Sequence, residues 1–349
     1  MSPLQIGSRA IGADGRCFVI AEAGINHNGD PARAHRMLDL AAEAGADAIK
    51  FQTFKASNVV TETAPKANYQ LAATGAAESQ LDMLAKCELS AAIYAELQAH
   101  ATERGLVFLS TPFDEESVDL LVAMKVPVLK IPSGEITNFP FLEYLARAGL
   151  PLILSTGMST LAEVRAAIDA LRAGGNRSLA ALHCVSNYPA APEDANLRAI
   201  VTMRETLDVP VGFSDHTLGI EAALAAVALG GCIIEKHLTL DRSLPGPDHT
   251  ASLEPADFTA MVRGIRTIEK ALGHGRKEPA ASEANTTAIA RRSLTAARDL
   301  LPGEVLDAGA IVMKRPGTGL PPAMRDRALG RRTRVAIPAG TMFTWEMLE

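Results

Sequence analysis

VGFSDHTLGIEAALAAVALGGCIIEKHLTLDRSLPGPDHTASLE, residues 211–254, is the stretch that decides the fold of this chain. Two short apolar segments, 211–213 and 232–235, flank a helical pattern, which predicts two parallel strands of one βαβ unit. His216 follows the first segment and His237 follows the second. Because neighbouring parallel strands lie about 4.8 Å apart, imidazoles at matching heights can hold one metal ion. A lone histidine beside an apolar strand is more often structural, but two at matching positions, with Asp248 and His249 close behind, favour a metal site.

The same alternation of short apolar runs and helical patterns extends through most of the chain. Eight runs predict strands, and a helical pattern follows each of them: 18–22, 48–52, 106–110, 128–131, 152–155, 180–184, 211–214 and 232–236. Eight βα units in about 255 residues are typical of a TIM (β/α)8 barrel. A doubly wound sheet needs a switch point that the pattern does not contain. The predicted fold class is therefore α/β, with a TIM barrel.

Three further segments complete the predicted organisation. Residues 56–90 form an insertion too long for an ordinary βα loop, which we expect to cover the barrel mouth and help to bind substrate. The alternative is a peripheral segment that only packs. We predict a barrel domain over 1–272, a polar linker over 273–290 and a small β-rich domain over 291–349. Two similar stretches, LLPGEVLDAGAI and AIPAGTMFTWEML, indicate an internal repeat in the last domain.

Composition limits the class of partner. The net charge is −6 and the basic residues are dispersed, which argues against a nucleic-acid surface. No run approaches the ~20 apolar residues that span a bilayer, and the N-terminus lacks the apolar core of a signal peptide. Cys17, Cys87, Cys184 and Cys232 are widely spaced and form no CxxC pair. We expect buried thiols in a cytoplasmic protein that binds neither membrane nor nucleic acid.

Polar residues follow the predicted strands, at the barrel end where TIM barrels carry their chemistry. Lys50 and Lys130, with nearby hydroxyls and helix N-termini, suit a phosphate or carboxylate group. Glu22, at the end of the first predicted barrel strand, is the candidate general acid/base. The lysines have two other interpretations. They can form ion pairs with Glu22 or Glu135, or one lysine, Lys236 included, can form a Schiff base with a carbonyl substrate.

Eight motifs carry a resemblance to a known family across nearly the whole chain. They are FVIAEAGINHNGD, AGADAIKFQTFKA, FLSTPFD, LKIPSGEITNFP, LILSTGMST, GFSDHTLG, EKHLTLDRSLPGPDHTASLEP and KRPGTG. The chain resembles the N-acetylneuraminate (sialic acid) synthases, a family that includes the legionaminic acid synthases. Its tail resembles the SAF, or antifreeze-like, domain of that family. Together the motifs are highly specific, whereas GFSDHT or PGPDH alone is only suggestive.

The resemblance implies a metal-dependent condensation of phosphoenolpyruvate with an open-chain N-acetylated mannosamine. N-acetylmannosamine as acceptor gives sialic acid and phosphate, and this is the first interpretation. The alternative acceptor is 2,4-diacetamido-2,4,6-trideoxymannose, which gives legionaminic acid. The expected cofactor is a divalent metal, Mn²⁺ or Mg²⁺. The PGPDH segment is more similar to these two groups of synthases than to the pseudaminic acid synthases.

The resemblance also implies roles for individual residues. Glu22 is the catalytic acid/base, and His216 and His237 are metal ligands. The residues implied to bind phosphoenolpyruvate are Lys50, Thr111, Lys130, Ser133, Ser155 and Ser214, with either Ser186 or Asn187 facing the phosphate. The residues implied to bind the sugar are Gln52, Tyr188 and Asp248. Arg315 is implied to reach the active site of a neighbouring subunit, which makes the expected assembly a domain-swapped homodimer.

Two other classes of protein remain open at this point. A Schiff-base aldolase that cleaves the same type of product would be trapped on a lysine by borohydride. A non-catalytic carbohydrate- or ice-binding protein would be organised around the tail. The joint presence of Glu22, Lys50, His216 and His237 speaks against this second class.

Overall fold

The computed structural model describes residues 2–12 and 15–349. These residues form two compact units, the first ending at Gly273 and the second running His274–Glu349. The β-strands are β1 (Leu4–Ile6), β2 (Arg9–Ile11), β3 (Phe18–Gly24), β4 (Ala48–Thr53), β5 (Val107–Pro112), β6 (Leu129–Ile131), β7 (Leu152–Ser155), β8 (Leu179–Cys184), β9 (Val211–Asp215), β10 (Ile233–His237), β11 (Ser293–Ala296) and β12 (Ile311–Lys314).

At least one α-helix follows each barrel strand of the first unit, and four follow β4. The α-helices of the two units are α1 (Pro31–Glu43), α2 (Ala56–Val59), α3 (Asn68–Thr74), α4 (Gln80–Ala85), α5 (Ala91–Glu103), α6 (Glu115–Ala123), α7 (Phe139–Arg147), α8 (Leu161–Ala173), α9 (Arg198–Thr206), α10 (Glu221–Ala228), α11 (Pro255–Leu272), α12 (Ala284–Ala290) and α13 (Arg325–Ala328). None of the helices in the described residues is long and apolar enough to cross a membrane.

The first unit is a closed barrel of eight parallel strands, in the order β10-β3-β4-β5-β6-β7-β8-β9. All eight predicted strands are present, so the predicted TIM barrel is confirmed, with strand ends that differ from the prediction by at most two residues. Pairing of β3 with β10 closes the barrel and places Glu22 beside His237 in register. This closure brings the first and last polar strand ends together.

Side chains inside the barrel form an apolar layer below a polar layer. Alternate residues of a strand point to the same face, so Ile20, Ala48 and Ile153 are each followed two residues later by an inward polar residue. The apolar layer packs with the β1–β2 hairpin, which is antiparallel. Gly212 belongs to this interior, and a Cβ there would lie 2.3 Å from the Ile233 carbonyl oxygen. Only glycine therefore lets β9 approach β10 at this level.

Local sequence signals account for the ends of two helices. Thr160 and Glu163 form a reciprocal capping box at the start of α8. Helix α11 begins at Pro255 and ends before Gly273, whose φ of +59° suits a glycine. The outer helices bury their apolar stripes against the outward side chains of the strands. These contacts hold the barrel in one register.

The insertion is a compact structure made of α2, α3 and α4. Lys66 is buried and its ammonium donates hydrogen bonds to Thr74 Oγ1 at 2.9 Å and to the Gly75 carbonyl oxygen at 3.2 Å. Glu88 accepts a hydrogen bond from the Ala56 backbone nitrogen at 2.7 Å, which joins the two ends of the insertion. The insertion is therefore held as an ordered lobe.

The second unit contains the antiparallel pair β11–β12 and its own apolar core, which confirms the predicted small β-rich region. The two similar stretches pair with each other, since Leu300 and Ile337 exchange backbone hydrogen bonds at 2.9 Å. Residues 274–290 belong to this unit and include a 3₁₀ turn, Ala281–Glu283, and the exposed helix α12. The division into 1–272, 273–290 and 291–349 stays a proposal.

Candidate active site

A cavity of about 400 Å³ opens at the carboxyl ends of the barrel strands. Most of the predicted site residues line it: Glu22, Lys50, Gln52, Thr111, Lys130, Ser133, Ser155, Ser186, Tyr188, Ser214, His216, His237 and Asp248. Asn187 and Arg315 do not. Polar residues from every part of the barrel therefore meet in one pocket.

A buried cluster of two lysines and two glutamates forms the floor of the cavity. Lys50 Nζ lies 2.8 Å from Glu22 Oε2 and 3.8 Å from Glu235 Oε2, and Lys130 Nζ lies 3.4 Å from Glu235 Oε1. Glu135 accepts instead a hydrogen bond from Asn138, so the suggested ion pair of a lysine with Glu135 is not formed. The floor is thus a charge-balanced site whose cations can turn toward an anionic ligand.

Glu235 is the member of this cluster that the sequence analysis missed. It lies two residues before His237 on β10, and alternate residues of a strand share a face. That spacing was the available signal. Lys236, between them, points the other way and lies 2.8 Å from Asp215 Oδ2 without lining the cavity. Lys236 is therefore removed from the candidate Schiff-base lysines.

Burial and neighbouring charges shift the pKa values of the two glutamates in opposite directions. Burial raises the pKa of Glu22 to about 7, and its attraction to Lys50 offsets only part of that effect. For Glu235 burial also disfavours the charge, but Lys130 and Lys50 outweigh it and lower the pKa to about 2. Burial lowers the pKa of Lys130, whereas the two carboxylates outweigh burial at Lys50 and raise its pKa. Glu22 can exchange a proton near neutral pH, and Glu235 keeps its charge.

Hydroxyl groups surround the two lysines. Lys50 donates to Thr111 Oγ1 at 2.9 Å, and Lys130 donates to Ser155 Oγ at 2.6 Å. Ser214 donates to Glu235 at 2.9 Å. These neutral groups can donate hydrogen bonds to a bound phosphate once the lysines engage it.

The loops after β7 and β8 approach closely because of a glycine. A Cβ on Gly157 would lie 2.1 Å from Ser186 Oγ, and the Gly157 nitrogen donates to Ser133 Oγ at 3.0 Å. Ser186 therefore sits at the cavity. Asn187 is exposed and its side chain donates to the Pro189 carbonyl oxygen at 3.1 Å. Of the two alternatives, Ser186 has the position from which a ligand can be reached.

His216 and His237 face each other with ring centroids 5.4 Å apart. His216 Nδ1 donates to the Val185 carbonyl oxygen at 2.7 Å, which leaves Nε2 as its free lone pair. Burial, reinforced by His216, lowers the pKa of His237 well below its usual value, so this imidazole is neutral. Its buried Nδ1 has no hydrogen-bond partner in the described structure. At His216 burial is outweighed by Cys184 and the Val185 carbonyl, so its pKa is raised.

These two imidazoles fit a metal site with open positions. Among the described residues, no group of three or more His, Cys, Asp and Glu side chains is arranged to hold a metal ion. The donors are therefore two histidines, and water and substrate would complete the coordination, as catalytic sites allow.

The insertion contributes a large part of the cavity lining, as the sequence suggested. Its lining residues are Val59, Val60, Ala67, Tyr69, Gln70, Gln80 and Leu84. Tyr69 packs on Tyr188 with ring centroids 4.9 Å apart, and Tyr188 packs on His216 at 4.0 Å. No residue pattern within the insertion distinguished these side chains in advance, since their shared position depends on how the lobe folds.

Two loops that brace Asp248 come from opposite ends of the barrel sequence. Asn28 Nδ2 donates to the Pro245 carbonyl oxygen at 2.6 Å, and its Oδ1 lies 3.3 Å from His249 Nε2. Asn26 Nδ2 donates to Ser252 Oγ at 2.8 Å. Because the two strands involved, β3 and β10, are neighbours, the loops that follow them hold each other in place.

Arg315 lies in the second unit, directly after β12, and is exposed. The four cysteines, all within the described residues, are buried free thiols. Cys184 lines the cavity and lies 3.7 Å from His216 Nδ1.

A TIM barrel whose polar end holds paired lysines, an acid near neutrality and two facing histidines defines an enzyme that acts on an anionic substrate. The model of the NeuB family matches residues 37–277, and that of the SAF domain matches residues 291–349. The chain belongs to the NeuB family. It is a nonulosonic acid synthase, an enzyme that condenses phosphoenolpyruvate with an acetamido sugar.

Three similar proteins illustrate the relationship. The N,N'-diacetyllegionaminic acid synthase of Legionella pneumophila is 46% identical, over 98% of this chain and 98% of its own. The human N-acetylneuraminate-9-phosphate synthase is 33% identical, over 98% and 95%. The crystal structure of an N-acetylneuraminic acid (sialic acid) synthetase from Leptospira borgpetersenii serovar Hardjo-bovis has a TM-score of 0.73 and 38% identity, and covers 82% of this chain and 95% of its own. This family membership favours condensation over the Schiff-base aldolase and over a non-catalytic binding protein.

Proposed function

We propose that this enzyme condenses phosphoenolpyruvate with 2,4-diacetamido-2,4,6-trideoxymannose, giving N,N'-diacetyllegionaminic acid and phosphate. The observation that carries the proposal is the 46% identity to the Legionella legionaminic acid synthase over nearly the full length of both chains. The identity to the human N-acetylneuraminate-9-phosphate synthase is 33% over a similar length. The comparison thus favours 2,4-diacetamido-2,4,6-trideoxymannose as the acceptor over N-acetylmannosamine, which was the first interpretation of the sequence.

The lysine-rich floor is the proposed phosphoenolpyruvate site. Lys50 and Lys130 supply positive charge, and the hydroxyls of Thr111, Ser155 and Ser214 lie beside them. Ser133 and Ser186 complete the set near Gly157. In the absence of substrate the carboxylates of the floor balance the lysines. The phosphate of the substrate, which carries more charge than a carboxylate, and the carboxylate of the substrate can accept hydrogen bonds from the same ammonium groups.

Glu22 is the proposed acid/base of the reaction. As C3 of phosphoenolpyruvate bonds to the aldehyde carbon, positive charge develops at C2, and a carboxylate at this depth stabilises it. The former aldehyde oxygen is left as an alkoxide. Water then adds at C2, and Glu22 is placed to take the proton that the water releases and to return it to the alkoxide, which becomes a hydroxyl of the product. The resulting adduct loses phosphate by cleavage of its C–O bond, and the proton of its C2 hydroxyl leaves with the phosphate as the keto group forms.

His216 and His237 are the proposed metal ligands, and Gln52, Tyr188 and Asp248 the proposed sugar contacts. A bound Mn²⁺ or Mg²⁺ supplies a Lewis acid for the aldehyde oxygen. Tyr188 packs on both imidazoles, at 4.0 and 5.6 Å between ring centroids, and so keeps their planes in place. Asp248 Oδ2 lies 3.9 Å from His237 Nδ1, so the sugar contacts adjoin the metal ligands.

We further propose that the enzyme is a domain-swapped homodimer in which Arg315 of one protomer contacts the acetamido group of the sugar bound by its partner. The proposal rests on the KRPGTG motif that contains Arg315 and on the match of residues 291–349 to the SAF domain.

The test of the acceptor is phosphate release from phosphoenolpyruvate with Mn²⁺, with N-acetylmannosamine compared against 2,4-diacetamido-2,4,6-trideoxymannose. A higher kcat/KM for the diacetamido sugar supports the proposal, and a higher value for N-acetylmannosamine overturns it. The control for the two-histidine site removes the metal with a chelator and then adds Mn²⁺ back. Phosphate release is measured after each step.

A further inference from the structure

Five apolar side chains form one side of the active-site cavity. Ile25, Phe54, Val59, Leu84 and Phe113 line the cavity, and the same five pack together around Cys87 as a separate apolar cluster. None of the five side chains carries a hydrogen-bond donor or acceptor. We call this set the apolar wall.

The apolar wall is held in place by contacts at its back. Phe54 and Phe113 pack edge to face, with ring centroids 6.0 Å apart and an angle of 88° between their planes. The hydrogen bond from the Ala56 nitrogen to Glu88 keeps α2, which ends at Val59, against α4, which carries Leu84. The wall is therefore a preformed surface.

The apolar wall follows the strand ends, on the open side of the charged floor. Ile25 comes directly after β3 and Phe54 directly after β4, whereas Glu22 and Lys50 lie within those strands. The aldehyde carbon of the acceptor must meet C3 of phosphoenolpyruvate at the floor. The opposite end of the open-chain sugar, C5 and C6, therefore extends toward the insertion.

Two polar groups of the insertion, Tyr69 and Gln70, are neighbours in α3, and Tyr69 packs on Tyr188, on the side of the metal ligands. A third, Gln80, lines the cavity four residues before Leu84 and so shares a face of α4 with it. The insertion thus offers the acceptor two surfaces of different chemistry, one aromatic and polar in α3 and one mainly apolar, formed by Val59 and Leu84 with Gln80 beside Leu84.

We propose that the apolar wall binds the C6 methyl group of a 6-deoxy acceptor and discriminates against a C6 hydroxyl. This proposal rests on the proposed function and adds the residues that would contact C6 of its acceptor sugar. The transfer of a methyl group from water to this apolar surface lowers the free energy of binding. A hydroxyl at the same place loses its hydrogen bonds to water, and the wall offers none in return.

The test compares two acceptors that differ only at C6, N-acetylmannosamine and its 6-deoxy counterpart. Leu84→Asn places an amide of similar size in the wall, and Val59→Thr is a second variant with a smaller change. Leu71→Asn is the matched control, because Leu71 is 39% exposed on the same insertion and does not line the cavity. The measurement is kcat/KM for each sugar at saturating phosphoenolpyruvate. An analogue that does not turn over is compared through its inhibition constant against the diacetamido sugar.

We expect the wild-type enzyme and Leu71→Asn to prefer the 6-deoxy sugar by about tenfold or more, and the two wall variants to lose most of that preference. Equal use of both sugars by the wild-type enzyme, or an equal loss for both sugars in the wall variants, would overturn the proposal. If the 6-deoxy preference holds but the second acetamido group brings no advantage, the proposed acceptor is wrong and the wall stands. If the second acetamido group is an advantage but the 6-deoxy sugar is not preferred, the proposed role of the apolar wall is wrong and the proposed acceptor stands.

Discussion

Glu235 Oε1 on β10 lies 3.4 Å from Lys130 Nζ on β6, on the far side of the barrel interior. The same carboxylate is also 3.8 Å from Lys50. One buried glutamate thus balances two cations that we assign to the phosphate and carboxylate of phosphoenolpyruvate. The free site is already charge-balanced, and substrate binding exchanges one set of acceptors for another.

Replacement of this carboxylate tests the balance. Glu235→Gln removes the only carboxylate that forms an ion pair with Lys130 among the described residues, and an uncompensated buried charge costs about 3–5 kcal/mol. We expect a lower Tm without ligand and a larger rise in Tm on addition of phosphoenolpyruvate than in the wild-type enzyme. Thermal denaturation with and without phosphoenolpyruvate measures both. An unchanged Tm in the ligand-free variant would mean that Glu235 does not balance the lysines.

Glu22→Gln tests the acid/base. The amide keeps the size of the side chain but exchanges no proton, so kcat should fall by about 10²–10⁴ while the fold survives. Phosphate release and far-UV circular dichroism measure the two effects. Glu62→Gln, an exposed site on the insertion, is the control. Near-normal turnover by Glu22→Gln would remove this residue from the mechanism.

Because His27 is buried in its neutral form, we predict that the free energy of unfolding falls in mild acid. Its side chain is fully buried, and burial lowers its pKa to about 4, whereas the unfolded chain has the usual value of about 6.5. Between these values only the unfolded state takes up the proton, so stability falls as the pH drops from 6.5 toward 4, by up to about 3 kcal/mol.

Urea denaturation at pH 7, 6 and 5 measures this loss. His27→Asn should reduce the dependence on pH, because its amide oxygen can accept the hydrogen bond that His27 Nδ1 accepts from the Gly29 nitrogen at 3.0 Å. An unaltered pH slope in the variant would assign the acid loss to other groups, such as His249, whose pKa is lowered by burial to about 4, or His237, whose pKa is also lowered by burial.

Asn28 is predicted to position Asp248 through the loop that precedes it. Its φ is +51°, so Asn28→Gly keeps the backbone and removes the two contacts to Pro245 and His249. The KM for the sugar should rise about fivefold, the equivalent of about 1 kcal/mol for a lost hydrogen bond, with little change in the KM for phosphoenolpyruvate.

Steady-state kinetics with each substrate varied measure this effect. Asn28→Ala adds the strain of a left-handed alanine and should be less stable than Asn28→Gly by about 1 kcal/mol. Equal rises in both KM values would indicate a general loss of structure.

Arg315→Ala should raise the KM for the sugar far more than the KM for phosphoenolpyruvate. Lys314→Ala, one residue earlier and also exposed, is the control. Co-expression of Arg315→Ala with Glu22→Gln separates action within a protomer from action across a dimer. In a swapped homodimer, mixed pairs regain one intact site, so about a quarter of the sites recover. Absence of recovery in purified mixed pairs would contradict the swapped arrangement.

Much of the fold follows from local patterns. Eight apolar runs with helical patterns between them predicted the barrel, and strand ends such as Ala48 and Leu152 agree with the structure. The capping box of α8 and the end of α11 at Gly273 were equally local. These signals depend on neighbouring residues and on the periods of strand and helix, so they survive without tertiary information.

The sequence by itself determined the barrel, the family, and a set of polar strand ends, most of which line one cavity. Only the tertiary structure decided which side chains of each strand face inward. Alternation along a strand places Glu235 and His237 on one face and Lys236 on the other. Which of the two faces points into the barrel is decided by the closure of the barrel. It also assembled the apolar wall from residues as distant as Ile25 and Phe113, because contacts between remote segments leave no pattern in a local stretch of chain.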